Sequence, residues 1–322
     1  MRYTRLGQTD LEVSVLALGA WAPGADWDSF DDAEADAAIK AALDEGVNLF
    51  DASQANGFGD AEALLGDTLW KRVRRDRVIV ATKGGLRVEG RTLVRDASAH
   101  WLRTGVVASL RNLDTDYIDL YQVRWPDPAT PAEETAAALQ ELVAEGLVRH
   151  VGVSNGDAGQ IDGLARHGRV ESLQLPYNMF RREIEVGTLP YASVKDIGVL
   201  IDDPLAHGLL GGRLTTTTTF PPDDWRSHSP GFTGAPFRRN LGVVTRLTEL
   251  AVQWGVSVPQ LAVAWTIGNP SVDVAIVGAR RSAQLDALMP AVDVRLGVDD
   301  LHRIDAILAE AAPISGPTPE GM

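Results

Sequence analysis

The sequence predicts one α/β domain built as an eight-stranded (β/α)8 barrel. Three observations point there. Strand-like and helix-like stretches alternate at least seven times along the chain. The strands are continuous apolar runs without polar alternation, such as Val78-Ile79-Val80-Ala81-Thr82, which marks a parallel sheet covered on both faces by helices. Polar residues recur where these runs end, on the side where such barrels work. No GxGxxG follows the first strand, which disfavours a doubly wound dinucleotide-binding sheet.

The chain opens with strand-like Arg2–Leu6 and Leu11–Leu16 around Gly7-Gln8-Thr9-Asp10, a hairpin. Val15–Leu18 follows as the first barrel strand. Asp31, with Glu34 three residues later, reads as a capping box opening a helix. Strand Val47–Phe50 ends in Asp51. Helix Ala61–Val73, strand Val78–Thr82, a helix near Ser98–Leu113 and strand Ile118–Gln122 come next.

Thr130-Pro131-Ala132-Glu133 reads as an N-cap with proline at the first helical position, the helix closing at Gly146. Strand Val148–Val153, helix Asp157–His167 and strands Val170–Leu175 and Ile197–Ile201 follow, the last after an irregular link. Ser257 with Gln260 caps the helix of LAVAWTIG; Val272–Ile276 is the last strand and Asp300–Glu310 the last helix. Residues 206–240, with a threonine run and many Pro, Gly and Ser, read as a lid-like loop. The tail 313–322 is expected to be loose.

The bulk numbers bound the function. The 322 residues, 45% apolar, suffice for one large barrel domain over 1–322. There is no cysteine, hence no thiolate metal site and no disulfide framework. A net charge of −14 argues against nucleic acid or an anionic membrane as partner. No apolar run spans a bilayer and the N-terminus lacks a secretion-signal core, so a cytoplasmic protein acting on a small molecule is expected. The six histidines show no metal spacing.

The strand ends carry Trp21, Asp51, Lys83, Arg124, Ser154-Asn155, Gln174, Asp202-Asp203 and Gly278. A carboxylate ending a buried strand needs a partner, and Lys83 is the one on offer. Each polar strand end taken alone is as readily explained by its bordering loop. A full ring of them is better explained as a pocket.

YTRLGQTDLEVSVLALGAW, GVNLFDAS, VIVATK, LDTDYIDLYQV, VRHVGVSN, LQLPYN, PLAHGLLGG, QLAVAWTIGNP and AIVGARRSAQLDAL together resemble the aldo/keto reductase superfamily over essentially the full length. The resemblance implies a TIM barrel with an N-terminal hairpin and two extra helices. It also implies hydride exchange between NADP(H) and a carbonyl or alcohol, without a metal. The family's catalytic Asp and Lys match Asp51 and Lys83. Its Tyr falls at Asn56 and its His at Arg124, so half of the tetrad is replaced.

On the cofactor side, the resemblance places Ser154, Asn155 and Gln174 on the nicotinamide amide. Asp202 stands where an aromatic ring should stack, followed by Leu205. Gly278, Arg280 and Gln284 belong to the segment that grips the 2′-phosphate. Trp21 and Trp125 match pocket aromatics.

Asn56 cannot give up a proton, and Arg124 cannot act as a general acid near neutral pH. Tyr121 and Tyr177 are the remaining phenols to consider. Arg124 can grip an anionic substrate group or pair with Asp202. Three functions stay open. One is a divergent NADP(H)-linked oxidoreductase with Lys83 as proton donor. The second is a non-redox lyase, isomerase or dehydratase. The third is a non-catalytic binding protein.

Overall fold

The computed structural model describes residues 1–20, 32–55, 57–90, 92–279 and 281–316. In chain order the elements are β1 (Tyr3–Arg5), β2 (Glu12–Ser14), β3 (Leu16–Gly19), α1 (Asp32–Asp44), β4 (Leu49–Asp51), α2 (Asp60–Leu69) and β5 (Ile79–Gly84). Then come β6 (Leu86–Glu89), β7 (Thr92–Arg95), α3 (Ala99–Asn112), β8 (Ile118–Val123), α4 (Ala132–Ala144), β9 (Val148–Ser154), α5 (Ala158–Ala165) and β10 (Ser172–Pro176). The last are α6 (Thr188–Lys195), β11 (Gly198–Asp202), α7 (Gly234–Gln253), α8 (Val258–Gly268), β12 (Val274–Gly278), α9 (Ser282–Leu288) and α10 (Val298–Leu308).

Strands β3, β4, β5, β8, β9, β10, β11 and β12 close into one barrel, every neighbouring pair parallel. Each strand turns alternate side chains inward and outward. Ala17, Leu49, Ile79, Ala81, Leu120, Leu200, Val274 and Ile276 fill the interior, and Leu6, Leu11 and Val13 of the β1–β2 hairpin join the same cluster. Two residues further along, the inward positions change chemistry: Gly19, Asp51, Lys83, Gln122, Asp202 and Gly278. The helix-facing positions, among them Phe50, Val80, Tyr121, Val153, Leu173 and Ile201, belong to the larger outer core. The interior is thus apolar below and polar above.

Charged residues bind the hairpin to the opposite end of the barrel. His150 on β9 reaches Asp10 through Nε2 at 2.7 Å and Glu171 through Nδ1 at 3.0 Å. Arg149 bridges Asp119 at 2.9 Å and Asp10 at 3.1 Å.

Several boundaries correct the sequence reading. The β6–β7 hairpin was missed, being short and without a fully buried position. The irregular link before β11 contains α6. Pro131, not Thr130, stands at the N-cap of α4, and the Thr130 hydroxyl donates to Asp127 instead. Asp31 lies outside the described residues, whereas the Asp157 and Ser257 capping boxes are present.

The lid-like loop of 206–240 becomes helical at Gly234, where α7 begins. Before that, Phe220, Trp225 and Phe232 pack edge to face and bury an Arg226–Asp224 pair beside them. The tail is docked as far as 316: Ala312 N–H donates to Asn240 and Ile314 is buried.

Candidate active site

Asp51, Lys83 and Gln174 meet inside the barrel mouth. Lys83 Nζ donates to Asp51 Oδ1 at 2.6 Å and to Gln174 Oε1 at 3.1 Å, and Gln174 Nε2 donates to Asp51 Oδ2 at 3.2 Å. The three close a ring of hydrogen bonds contributed by β5, β4 and β10. Lys83 is 1% exposed and Asp51 7%, so the pair is withdrawn from bulk water. Burial lowers the Lys83 pKa most; Asp51 pulls it back up and Arg124 pushes it down again.

The neighbouring positions are fixed from the backbone. Arg124, one residue beyond β8, donates its N–H to Gly84 at 2.8 Å, and its carbonyl accepts from Asn155 Nδ2 at 3.2 Å. Asn155 Nδ2 also meets Ser154 Oγ at 2.9 Å, while Asn155 N–H donates to the Gln174 carbonyl. Asn155 holds φ +60, a left-handed conformation that asparagine tolerates better than most residues.

Asp202 ends β11 among these groups. Burial raises its pKa, opposed by Arg124. Of the two roles open to Arg124, the pair with Asp202 is not formed: among the described residues neither side chain has an ion-pair partner, and Arg124 Nε and Asp202 Oδ1 are buried without a hydrogen bond. Ser53 Oγ, Gln122 Oε1 and Trp125 Nε1 are likewise buried and unpartnered.

The remaining expected positions divide. Leu205 packs against the outer core, its carbonyl capped by Gly208 and Leu210 N–H groups. Gly278 aligns with Gly19 at the rim, and Gln284 Oε1 caps the N-terminus of α9 by accepting from Arg281 N–H. Trp125 lies under the Arg95 guanidinium, 5.0 Å from the ring centroid. Trp21, Asn56 and Arg280 fall outside the described residues.

Neither candidate phenol belongs to the mouth. Tyr121 is on the helix side of β8, its hydroxyl pressed between Gly84 and Gly105 and without a partner. Tyr177 donates to Glu185 and stacks on Trp265. Burial raises both phenol pKa values.

Asp203 and His207, one step past the mouth, were not read as a pair. His207 Nε2 lies 3.0 Å from Asp203 Oδ2, and both residues hold positive φ, as does Ala206. Burial raises the Asp203 carboxyl to about 7 and lowers the His207 imidazole to about 4. Gln122 was missed too, although its inward register follows from Leu120 two residues earlier.

A closed parallel barrel with a hairpin at one end and a buried amine–carboxylate pair at the other defines a class of barrel enzymes. The chain belongs to the aldo/keto reductase family, whose model matches residues 15–309. It is 41% identical over 325 aligned positions to "Aldo-keto reductase YhdN" of Bacillus subtilis, covering all of this chain and 98% of that one. To "NADH-specific methylglyoxal reductase" of Escherichia coli it is 30% identical, covering 93% of this chain and 96% of that one. Among solved structures, the glycerol dehydrogenase AKR11B4 from Gluconobacter oxydans superposes with a TM-score of 0.89 at 36% identity, covering 98% of both chains. The family's enzymes are nicotinamide-dependent oxidoreductases acting on small molecules.

Proposed function

We propose that the chain is an NADP(H)-linked oxidoreductase of the cytoplasm, acting on a small carbonyl or alcohol, in which Lys83 exchanges the proton with the substrate oxygen. The observation that carries this is the Lys83–Asp51–Gln174 ring. Burial lowers the pKa of this amine, which makes it a readier proton donor than an exposed lysine. No described phenol is within reach to do so. A similar chemistry is named for the relatives: glycerol dehydrogenase and methylglyoxal reductase act on small polar oxygenated compounds.

The residues present suit a nicotinamide dinucleotide. Ser154, Asn155 and Gln174 offer amide and hydroxyl groups at adjacent strand ends, and the orphaned Asp202 Oδ1 offers a buried acceptor beside them. Leu205, Gly278, Arg280 and Gln284 would hold the rest, with NADP rather than NAD resting on Arg280. When bound, the dinucleotide gives or takes the hydride. In reduction, Lys83 Nζ passes its proton to the carbonyl oxygen while Asp51 holds the amine in place and Arg124 keeps positive charge near the developing oxyanion. In oxidation the neutral amine takes the proton back.

The lack of a described phenol at the mouth also favours a second function, non-redox acid–base chemistry by Lys83, Asp51, Asp202 and Arg124. Two variants separate the alternatives. Lys83→Met in a hydride-transferring chain should lose about 10²–10⁴ in rate, the worth of a positioned proton donor. Asn56→Tyr, with Arg124 kept, should improve an existing carbonyl reduction by supplying a phenol. If reduction appears there for the first time, the unaltered chain was not a reductase.

A further inference from the structure

We infer that the mouth contains a carboxylate-binding subsite built on Arg124, so that the substrate carries one carboxylate close to its reacting carbon. This deepens the oxidoreductase function proposed above and rests on it. Arg124 is held from both sides of its backbone, by Gly84 and Asn155. Its side chain stands close enough to Lys83 and Asp202 to act on the titration of each. Yet its Nε is buried without an acceptor, and among the described residues no carboxylate pairs with the guanidinium. Buried N–H groups are nearly always satisfied, so an unmet one at a pocket mouth is a place for a ligand oxygen. Trp125 Nε1, on the next residue, is a second buried donor without a partner.

A planar guanidinium fork matches the two oxygens of a carboxylate. Local charge selects a carboxylate over a phosphate. Asp51 is already matched by Lys83, so Arg124, with Asp202 near it, balances a singly charged group better than a doubly charged one. With a net charge of −14 the chain as a whole repels anions, so attraction must come from local cations such as Arg124. A carboxylate on Arg124 leaves the adjacent carbonyl to face Lys83, which suits 2-oxo and 2-hydroxy acids.

The test is calorimetric titration of the full chain with oxamate, an unreactive monoanion with its carboxylate next to a carbonyl. Oxamide serves as the neutral analogue and inorganic phosphate as the competing anion, each with and without NADP+. Oxamate should bind, with oxamide at least tenfold weaker and phosphate a poor competitor. Arg124→Met, or Arg124→Gln if that variant does not fold, should weaken oxamate at least tenfold. Arg124→Lys should recover only part. Equal binding of oxamide, absence of oxamate binding, effective competition by phosphate, or unchanged oxamate binding in Arg124→Met would each overturn the subsite. Oxamate binding without any dinucleotide binding would remove the oxidoreductase function and leave the subsite standing. Dinucleotide binding without oxamate would do the reverse.

Discussion

Replacing Asp51 by asparagine would leave Lys83 as a buried ammonium with no anion beside it. The pair is 2.6 Å apart and almost fully buried, and breaking such a pair costs about 3–5 kcal/mol. Gln174 Oε1 still accepts from Nζ at 3.1 Å, so the lower end, about 3 kcal/mol, is expected. The chain can relieve that cost by shedding the lysine proton. The native Lys83 pKa is already lowered by burial, and Asp51→Asn should lower it further by removing the anion that opposes that shift. The sign of the pH dependence follows. With the folded pKa below the unfolded one, the unfolded chain binds more protons, and stability rises with pH between the two values. Urea unfolding of Asp51→Asn at several pH values should therefore show the greatest loss in acid and a recovery toward alkaline pH. Adding Lys83→Met should restore much of the stability by removing the stranded charge. A loss that is small and the same at every pH, or a double variant no better than the single one, would refute the picture of a charge-paired lysine.

Other expectations follow from particular contacts. A Cβ on Gly84 would lie 1.9 Å from Tyr121 Oη, so Gly84→Ala should cost about 1–3 kcal/mol by chemical denaturation and be partly rescued by Tyr121→Phe, which leaves Gln54 Oε1 at 2.7 Å and the ring carbon Cζ at 2.9 Å. Tyr121→Phe alone should keep its turnover, since the hydroxyl faces the helices; a large fall in kcat would return that phenol to the mechanism. Burial works against charge on His150, but its hydrogen bonds to Glu171 and Asp10 outweigh that and raise its pKa. The stability it supplies is complete below its unfolded pKa of about 6.5 and fades as pH rises through the higher folded value. His150→Gln should flatten that alkaline decline in thermal melts.

The barrel was legible because its strands are apolar on both faces, and runs such as Val148–Val153 carry that directly. The Asp51–Lys83 pair was legible because a charge ending such a run has few ways to be satisfied. The β6–β7 hairpin was not, because Leu86–Glu89 and Thr92–Arg95 bury little and show no strong period. The start of α7 at Gly234 was hidden by the glycine- and proline-containing stretch before it. There the aromatic packing of Phe220, Trp225 and Phe232, a tertiary feature, sets the chain's path. Arg124 and Asp202 were placed at the mouth from the sequence, but their failure to pair depends on side-chain distances that no spacing encodes. The orientation of Tyr121 could have been read from alternation, since Leu120 and Gln122 on either side of it face inward.

The central claim is that a nicotinamide dinucleotide sits over the Lys83–Asp51 pair, and titration of the purified chain with NADPH, followed by nicotinamide fluorescence, tests it most directly. Saturable binding should appear, and a dinucleotide concentration near one hundred times Kd should stabilise the fold by about 2.7 kcal/mol. A flat titration to millimolar NADPH and NADH, with no shift in melting temperature, would contradict it.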